Sequence, residues 1–403
     1  MRSKSLNTIA IFIVLYGAMY AAFGVASPFW PRFFEARGLN PQEIGIVLGL
    51  GALMRWVSGP LIARVADALG KLSAVLAACL ALAAMAALAL LSADAFWSML
   101  TIHLAQMAAL APTTTTADAL AIRRSDRGGL EYGRIRGTAS AAFIAGTLAT
   151  GMLLSGAATS LVYVHAALLS TAACAALLLP HTNVPPARQT ISLTSFMSGV
   201  RELWTNVVFR RVIMVSALVY GSHAVHDAFA VIRWNEAGIG PVMISVLWSE
   251  AVAAEVVVFF LIGPALVNRF GAYGAASLAA AAGVVRWCVV GTTTSTIALA
   301  VVQPLHGFTF ALLHLACMRL IPLVVPTRLA ATGQALYALG AGLVSAVLTM
   351  LSGQLYAALA GAAFLPMALL CAVALPLAWK GLREPRADGG MASDSNAERD
   401  RAE

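Results

Sequence analysis

Residues 72–92 read LSAVLAACLALAAMAALALLS, a run dominated by alanine and leucine without one charged side chain. A hydrocarbon layer about 30 Å thick is crossed by about 20 apolar helical residues, and this run has that length. Long runs of Ala and Leu do not alternate as barrel strands must, so an α-helix is left as the way to satisfy every backbone N–H and C=O in lipid. Similar stretches recur on both sides, from Ile9 to Trp379, with short polar breaks. Composition agrees: 60% of the 403 residues are hydrophobic and 11% are charged, against about 25% charged in soluble domains.

Twelve spans are predicted, at 7–30, 42–64, 72–92, 96–121, 137–158, 160–180, 209–234, 242–267, 274–294, 297–320, 330–357 and 361–380. The first is read as a retained span, because the apolar run from Leu6 to Phe29 lacks the small-residue cleavage pattern of a signal peptide. Pro28, Pro112 and Pro304 interrupt spans 1, 4 and 10, where freed backbone groups are tolerated beside a cavity. Ala141, Ala145 and Ala149 form a small-residue ridge on span 5, read as a packing seam.

The longest internal polar break, with Pro185 and Pro186, divides the chain. The sequence on either side repeats. Gly38-Leu39-Asn40-Pro41 returns 200 residues later as Gly238-Ile239-Gly240-Pro241, and Gly59-Pro60 returns as Gly263-Pro264. The fold expected is an all-α polytopic membrane protein, with twelve transmembrane helices in two pseudo-twofold-related six-helix bundles. The bundles span 1–180 and 209–380, joined by a cytoplasmic linker at 181–208, with a disordered cytoplasmic tail at 381–403. Six spans per half give both halves one orientation, with a solute site between them near the midplane.

The formal charge of +8 is explained by topology, so no nucleic-acid partner is expected. With the N-terminus inside, the 26 Lys and Arg residues fall in cytoplasmic loops except Arg32, Arg37 and Arg233 outside and Arg55 and Arg286 in mid-membrane. That is the positive-inside rule. It predicts a multi-pass protein, of the inner membrane if bacterial, with both termini cytoplasmic. Cys79, Cys174, Cys288, Cys317 and Cys371 lack paired spacing, so neither a disulfide framework nor a zinc site is indicated. No metal or cofactor is expected. Gly70-Lys71 lacks the Walker spacing of an ATP-driven pump, and neither Gly-x-Ser-x-Gly nor His-Glu-x-x-His occurs, so enzyme activity is not expected. A functional monomer in the lipid bilayer, with a small-molecule substrate and a proton as partners, is the expectation.

Ionisable groups in mid-membrane are costly and therefore candidates for function. They are Arg55, Asp118, Asp227, Glu250, Glu255 and Arg286, with His223, His226, His306 and His314 beside them. The 200-residue offset carries Arg55 onto Glu255 and Gln106 onto His306. Asp227 lies four residues after His223 on one face, as a structural ion pair or a coupling site. Glu250 lies nearer the outer end of its span, where a solvated carboxylate needs no function.

These features resemble the major facilitator superfamily along most of the chain. Asp67-Ala68-Leu69-Gly70-Lys71 resembles its cytoplasmic gating loop, with Ala63 and Ala68 as departures where glycine and a basic residue are usual. Within the superfamily the chain is similar to the proton symporters related to the lactose permease, and more so to the phenylpropionate permease group. The carried segments are Asp118 followed by Arg136 in Tyr132-Gly133-Arg134-Ile135-Arg136-Gly137, Arg286 twenty residues before His306, Glu255 in Ala253-Ala254-Glu255-Val256, and the stretch from His306 to His314. The resemblance implies proton-driven symport by alternating access. It implies substrate binding by Asp118, Arg136, Arg286, His306 and His314 and proton coupling by Glu255, Asp118 and His306; the residues themselves add Arg55 as a mid-membrane cation for substrate, with Trp30, Tyr16 and Tyr20 offered to a ring. Thr309 stands where the lactose permease has its proton-carrying carboxylate, so that coupling site is incomplete here. Two buried arginines favour a small organic acid, aromatic acids included. A sugar or nucleoside symporter, an efflux carrier and a non-transporting receptor are the alternatives.

Overall fold

The computed structural model describes residues 2–125, 132–153, 159–179 and 193–381. The predicted tail beyond 381 and the linker residues 181–192 lie outside the described residues. The chain runs as α1 (Arg2–Ala26), α2 (Trp30–Ala36), α3 (Pro41–Leu69), α4 (Leu72–Ala89), α5 (Phe96–Leu110), α6 (Thr113–Ser125), α7 (Tyr132–Leu153) and α8 (Thr159–Leu177). It continues as α9 (Leu193–Thr205), α10 (Val207–Gly221), α11 (Ala224–Glu236), α12 (Pro241–Val257), α13 (Gly263–Thr292), α14 (Thr296–Val302), α15 (Leu313–Val324), α16 (Ala330–Leu359) and α17 (Phe364–Gly381).

The breaks have local causes. Proline has no N–H and its ring crowds the preceding turn, and Pro28 and Pro112 fall in the gaps between α1 and α2 and between α5 and α6, while Pro304 sits in a tightened 3₁₀ turn, Gln303–Leu305. Two π-helical turns, Val258–Ile262 and Phe308–Leu312, were not foreseen from the sequence. The sequence repeat is a repeated helix cap. Gly38 and Gly238 both take the left-handed conformation (φ 88° and 81°). At each, the following N–H returns to a carbonyl five residues back, Leu39 to Phe34 at 3.1 Å and Ile239 to Trp234 at 2.9 Å. This is how a helix closes on a glycine before a proline restarts the chain. In the loop at 67–71, Gly70 turns the chain with φ 63° and Lys71 is exposed.

Eight helical stretches among the described residues are long and apolar enough to cross a membrane. Two of them, Pro241–Thr292 and Thr327–Trp379, have 52 and 53 residues, more than twice what one crossing needs. Each contains a left-handed residue, Gly271 (φ 67°) and Ala360 (φ 47°), and these fall in the gaps predicted between spans 8 and 9 and between spans 11 and 12.

Helix α1 packs on α7 and α8, α4 on α5 and α8, and α3 on α5; later in the chain α13 packs on α15 and α17, and α10 on α16 and α17. The two sets meet where α3 lies on α16, α7 on α12 and α2 on α11. The first contact is very close. A Cβ placed on Gly353 would lie 2.2 Å from the Pro41 carbonyl oxygen, and one on Gly45 would lie 2.9 Å from the Gly353 nitrogen.

One expectation is corrected. Ala141, Ala145 and Ala149 are exposed, and the close approach to α1 is made by the neighbouring stripe. There a Cβ on Gly146 would meet the Ala21 carbonyl oxygen at 2.3 Å, one on Gly24 would meet that of Phe143 at 2.0 Å, and the Thr147 hydroxyl donates to the Gly24 carbonyl at 2.9 Å. Small-residue spacing marks a smooth stripe without saying which neighbour uses it. The predicted linker also holds the helix α9, which packs on α10 and α16. Directly after it, the Asn206 side chain caps α10 by accepting from the N–H groups of Val208 and Phe209 at 3.0 and 3.1 Å. Asn206→Ala is expected to cost about 1 kcal/mol, read as a lowered unfolding midpoint of the purified protein in detergent.

Arginines 37 and 233, two exceptions to the charge asymmetry, do the same task in the two halves. Arg37 donates to the carbonyl of Leu91 at 2.8 Å and Arg233 to those of Gly291 at 3.2 Å and Gly361 at 3.1 Å. Leu91 and Gly291 are 200 residues apart and lie at the C-terminal ends of pseudo-equivalent helices, where unpaired carbonyls and the helix dipole favour a cation.

Candidate functional site

Where the two sets of helices meet there is a cavity of about 440 Å³. Its lining comes from α1 (Phe23), α2 (Trp30), α3 (Arg55), α5 (His103), α7 (Phe143), α8 (His165), α11 (Asp227) and α16 (Thr349). The aromatic wall is held from behind: Trp30 stacks on Phe34 with centroids 5.8 Å apart and meets His165 edge-on at 5.6 Å. The indole Nε1 of Trp30 is buried without a hydrogen-bond partner among the described residues. Arg55 is exposed and makes no ion pair or hydrogen bond among the described residues.

A second cluster lies between α1, α6 and α7. The Tyr16 hydroxyl donates to Asp118 Oδ1 at 2.6 Å, so Tyr16 is committed to that carboxylate and is not among the residues lining the cavity. Arg136 hydrogen-bonds the Tyr20 hydroxyl and lies over its ring at 5.1 Å. Asp118 and Arg136 are within electrostatic reach of each other. Glu255, across the interface on α12, is within reach of Arg136 and of His314.

The third cluster is centred on Arg286, which α13 buries completely. Its guanidinium lies over the Trp287 ring at 4.4 Å, a cation–π contact, and donates to Gln303 Oε1 at 3.0 Å. It faces His306 Nδ1 at 3.1 Å and His226 Nε2 at 3.4 Å. Since a guanidinium only donates, both of those ring nitrogens must be bare acceptors, which fixes the two tautomers. His306 therefore carries its N–H on Nε2, 3.6 Å from Glu255, and His226 carries its N–H on Nδ1, 3.2 Å from Asp227.

The structure thus joins Arg286, His306 and Glu255, joins Asp118 to Tyr16, and joins Arg136 to Tyr20. Arg55 and Trp30 lie in the cavity. His314 stacks on Phe259 at 6.1 Å. The pairing expected for Asp227 is corrected: its partner is His226, because the His223 ring is taken up by the Val219 and Tyr220 carbonyls at 3.1 and 3.2 Å and by the Thr309 hydroxyl at 3.0 Å. Thr309, the departure noted in the sequence, therefore orients His223. Sequence reasoning missed His103, His165 and Gln303. Each is a lone polar residue in an apolar stretch, a signal that was available but did not distinguish a cavity wall from a satisfied core.

Comparison with known proteins gives these features a family. The profile of the MFS_1 like family matches residues 9–366. A probable 3-phenylpropionic acid transporter of Escherichia coli (strain K12) is 32% identical over 376 residues, covering 90% of this chain and 94% of that protein. An uncharacterised transporter of Bacillus subtilis (strain 168), YwbF, is 20% identical over 74% of each chain. Among solved structures, the nucleoside transporter NupG superposes with a TM-score of 0.80 at 17% identity, over 93% of this chain and 98% of that one. The human organic anion transporter MFSD10 superposes with a TM-score of 0.64 at 14% identity, over 93% and 99%. At such identities the two structures speak to the fold. By the length of the profile match and the identity to the E. coli protein, the chain belongs to the MFS_1 like family, multi-pass membrane transporters of the major facilitator superfamily.

Proposed function

We propose that this transporter carries a small organic acid, aromatic acids included, together with a proton, by alternating access. The observation that carries the proposal is Arg55, a permanent cation facing an aromatic-walled cavity with no ion pair among the described residues. An unpaired cation open to a cavity attracts a counter-charge, and the planar fork of arginine suits a carboxylate. The cavity volume falls in the usual range for small ligands, about 300–1,000 Å³. The E. coli relative, named for an aromatic carboxylic acid, supports this reading. The nucleoside transporter supports it in fold alone.

The architecture proposed is twelve spans in two six-helix bundles, at 1–180 and 209–380. The two over-long stretches divide at Gly271 and Ala360, α5 with α6 makes one crossing around Pro112, and α7 makes another. With both termini in the cytoplasm of an inner membrane, the seam at Gly45 and Gly353 closes the outer end. Alternating access then requires α3 and α16 to part there. Arg55, Trp30, Arg286 and His306 are assigned to the substrate side, with Tyr20, Asp118, Arg136 and His314 towards the cytoplasm, and Glu255 with His306 to proton transfer, Asp118 assisting. The loop at Asp67, Gly70 and Lys71 is assigned to gating.

Uptake into proteoliposomes under an inward proton gradient tests the proposal. Uptake of 3-phenylpropionate is expected to rise with the gradient, and that of sugars and nucleosides is not; gradient-driven uptake of a nucleoside but no acid would reverse the reading. Glu255→Gln is expected to abolish accumulation above equilibrium while labelled acid still exchanges. Normal accumulation in that variant would remove Glu255 from the coupling.

A further inference from the structure

We propose that α9 is an interfacial helix whose Met197–Arg201–Trp204 face binds the anionic phospholipids of the adjoining leaflet, the cytoplasmic one in the topology proposed above. The solute carried has no bearing on it. A helix turns about 100° per residue, and the side chains of α9 sort into three sectors about a third of a turn apart. Gly199 and Leu203 face the protein: Leu203 is buried, and a Cβ on Gly199 would meet the Leu329 side chain at 2.8 Å. Ser198, Glu202 and Thr205 form an exposed polar sector, in which Glu202 is paired with Arg328 at 2.5 Å. The third sector holds Met197, Arg201 and Trp204, with Met197 60% and Trp204 52% exposed. A helix shared between protein and water needs two faces; a third that is apolar, aromatic and basic suits a helix lying where protein, water and lipid meet.

Two observations identify what covers that face. The first is continuity. Directly after the Asn206 cap, Val207 and Met214 are exposed and seven residues apart on α10, which opens a stretch long and apolar enough to cross a membrane. The exposed apolar strip therefore passes from the lipid-facing side of α10 onto α9. The second is charge. Arg210 and Arg211, three and four residues after Val207, flank the strip on α10, and Arg201 lies within it on α9. None of the three makes an ion pair or hydrogen bond among the described residues. Glu202, on the polar sector, is the one carboxylate in α9, and α10 has none. Arginine stems lie along apolar surface while their heads reach the headgroups, and tryptophan prefers the same depth. Three cations unopposed by a carboxylate select anionic over zwitterionic headgroups.

The same helix is fastened to the second half from behind. Arg328 and Leu329 belong to the turn Thr327–Leu329 ahead of α16, and the Asn206 side chain donates to the Val324 carbonyl at 3.1 Å. Lipid bound to α9 thus holds the end of α16 opposite the seam at Gly353.

The full chain in nanodiscs of phosphatidylcholine and phosphatidylglycerol, with bromine on the acyl chains of one lipid or the other, tests the proposal by fluorescence quenching. The difference between wild type and Trp204→Phe isolates one indole of eight. That component is expected to be quenched more by brominated phosphatidylglycerol than by an equal share of brominated phosphatidylcholine, with the preference falling as salt is added. Arg201→Gln is expected to lower the preference about fivefold, and Arg201→Lys to keep it. Met197→Trp, added to Trp204→Phe, is expected to return a quenched component from the same face. A Trp204 component that neither lipid quenches would place the face in water and overturn the proposal. Equal quenching by the two lipids would overturn the selection of anionic headgroups.

Discussion

Arg55→Gln is expected to lower the initial rate of 3-phenylpropionate uptake at limiting concentration by about a hundredfold or more. The residue sits on α3 facing the cavity, with no acidic partner among the described residues, so its charge is available to a ligand. Removing one member of a desolvated charge pair costs about 2–5 kcal/mol, and each 1.4 kcal/mol or so is tenfold. Arg55→Lys restores the charge but not the two-pronged grip, and is expected to fall between glutamine and the wild type. If both variants transported the acid within about threefold of wild type, the carboxylate would have to be held elsewhere, with Arg286 the next candidate. The unfolding midpoint of each variant separates loss of grip from loss of fold.

Gly353→Val is expected to force the closed end of the transporter apart. The atoms in the way are backbone: the Pro41 carbonyl oxygen at 2.2 Å, the Gln42 Cα at 2.9 Å and the Pro41 carbonyl carbon at 3.0 Å. No side-chain rotation relieves such a contact; α3 and α16 must separate. Overpacking of this kind costs about 1–3 kcal/mol. If the cost falls on the closed state alone, it shifts the population towards the open state by about 5–150-fold. Ser27 lines the cavity, so labelling of a Ser27→Cys variant by an impermeant thiol reagent from outside is the readout, measured against the exposed Cys174 and Cys288. Labelling that does not accelerate in the valine variant would show that this seam does not control access.

Much of the fold was legible because its determinants are local. Uncharged runs as long as a bilayer is thick left helices as the only choice, Pro28, Pro112 and Pro304 fall where the helices break or tighten, and the Gly-x-x-Pro repeat at 38–41 and 238–241 closes and restarts the chain in the same way twice. Arg286 and His306, each singled out in the sequence, meet at 3.1 Å. What was not legible depends on rotamers and neighbours. Helical periodicity put Asp227 on the face of His223, but it could not see that carbonyls one turn back and Thr309 occupy that ring, leaving Asp227 to His226. The alanine ridge on α7 was the more conspicuous pattern, yet the adjacent stripe carries Gly146, which together with Gly24 on α1 lets the two backbones come within contact. The amphipathic α9 was hidden by the polarity of the segment around it.

The arginines at 37 and 233 have a bearing on how the protein is made. Arg37 reaches carbonyls 54 and 56 residues further on, and Arg233 reaches carbonyls 57, 58 and 128 residues further on. As the chain leaves the ribosome, each arginine is therefore synthesised well before its partners exist. The guanidinium of Arg233 acquires its full set only once the turn at Gly361 has followed it into the bilayer, close to the end of the last helix. Arg233 thus clasps three turns of the second half that are far apart in the chain, and the clasp is complete only when the last of them has been made.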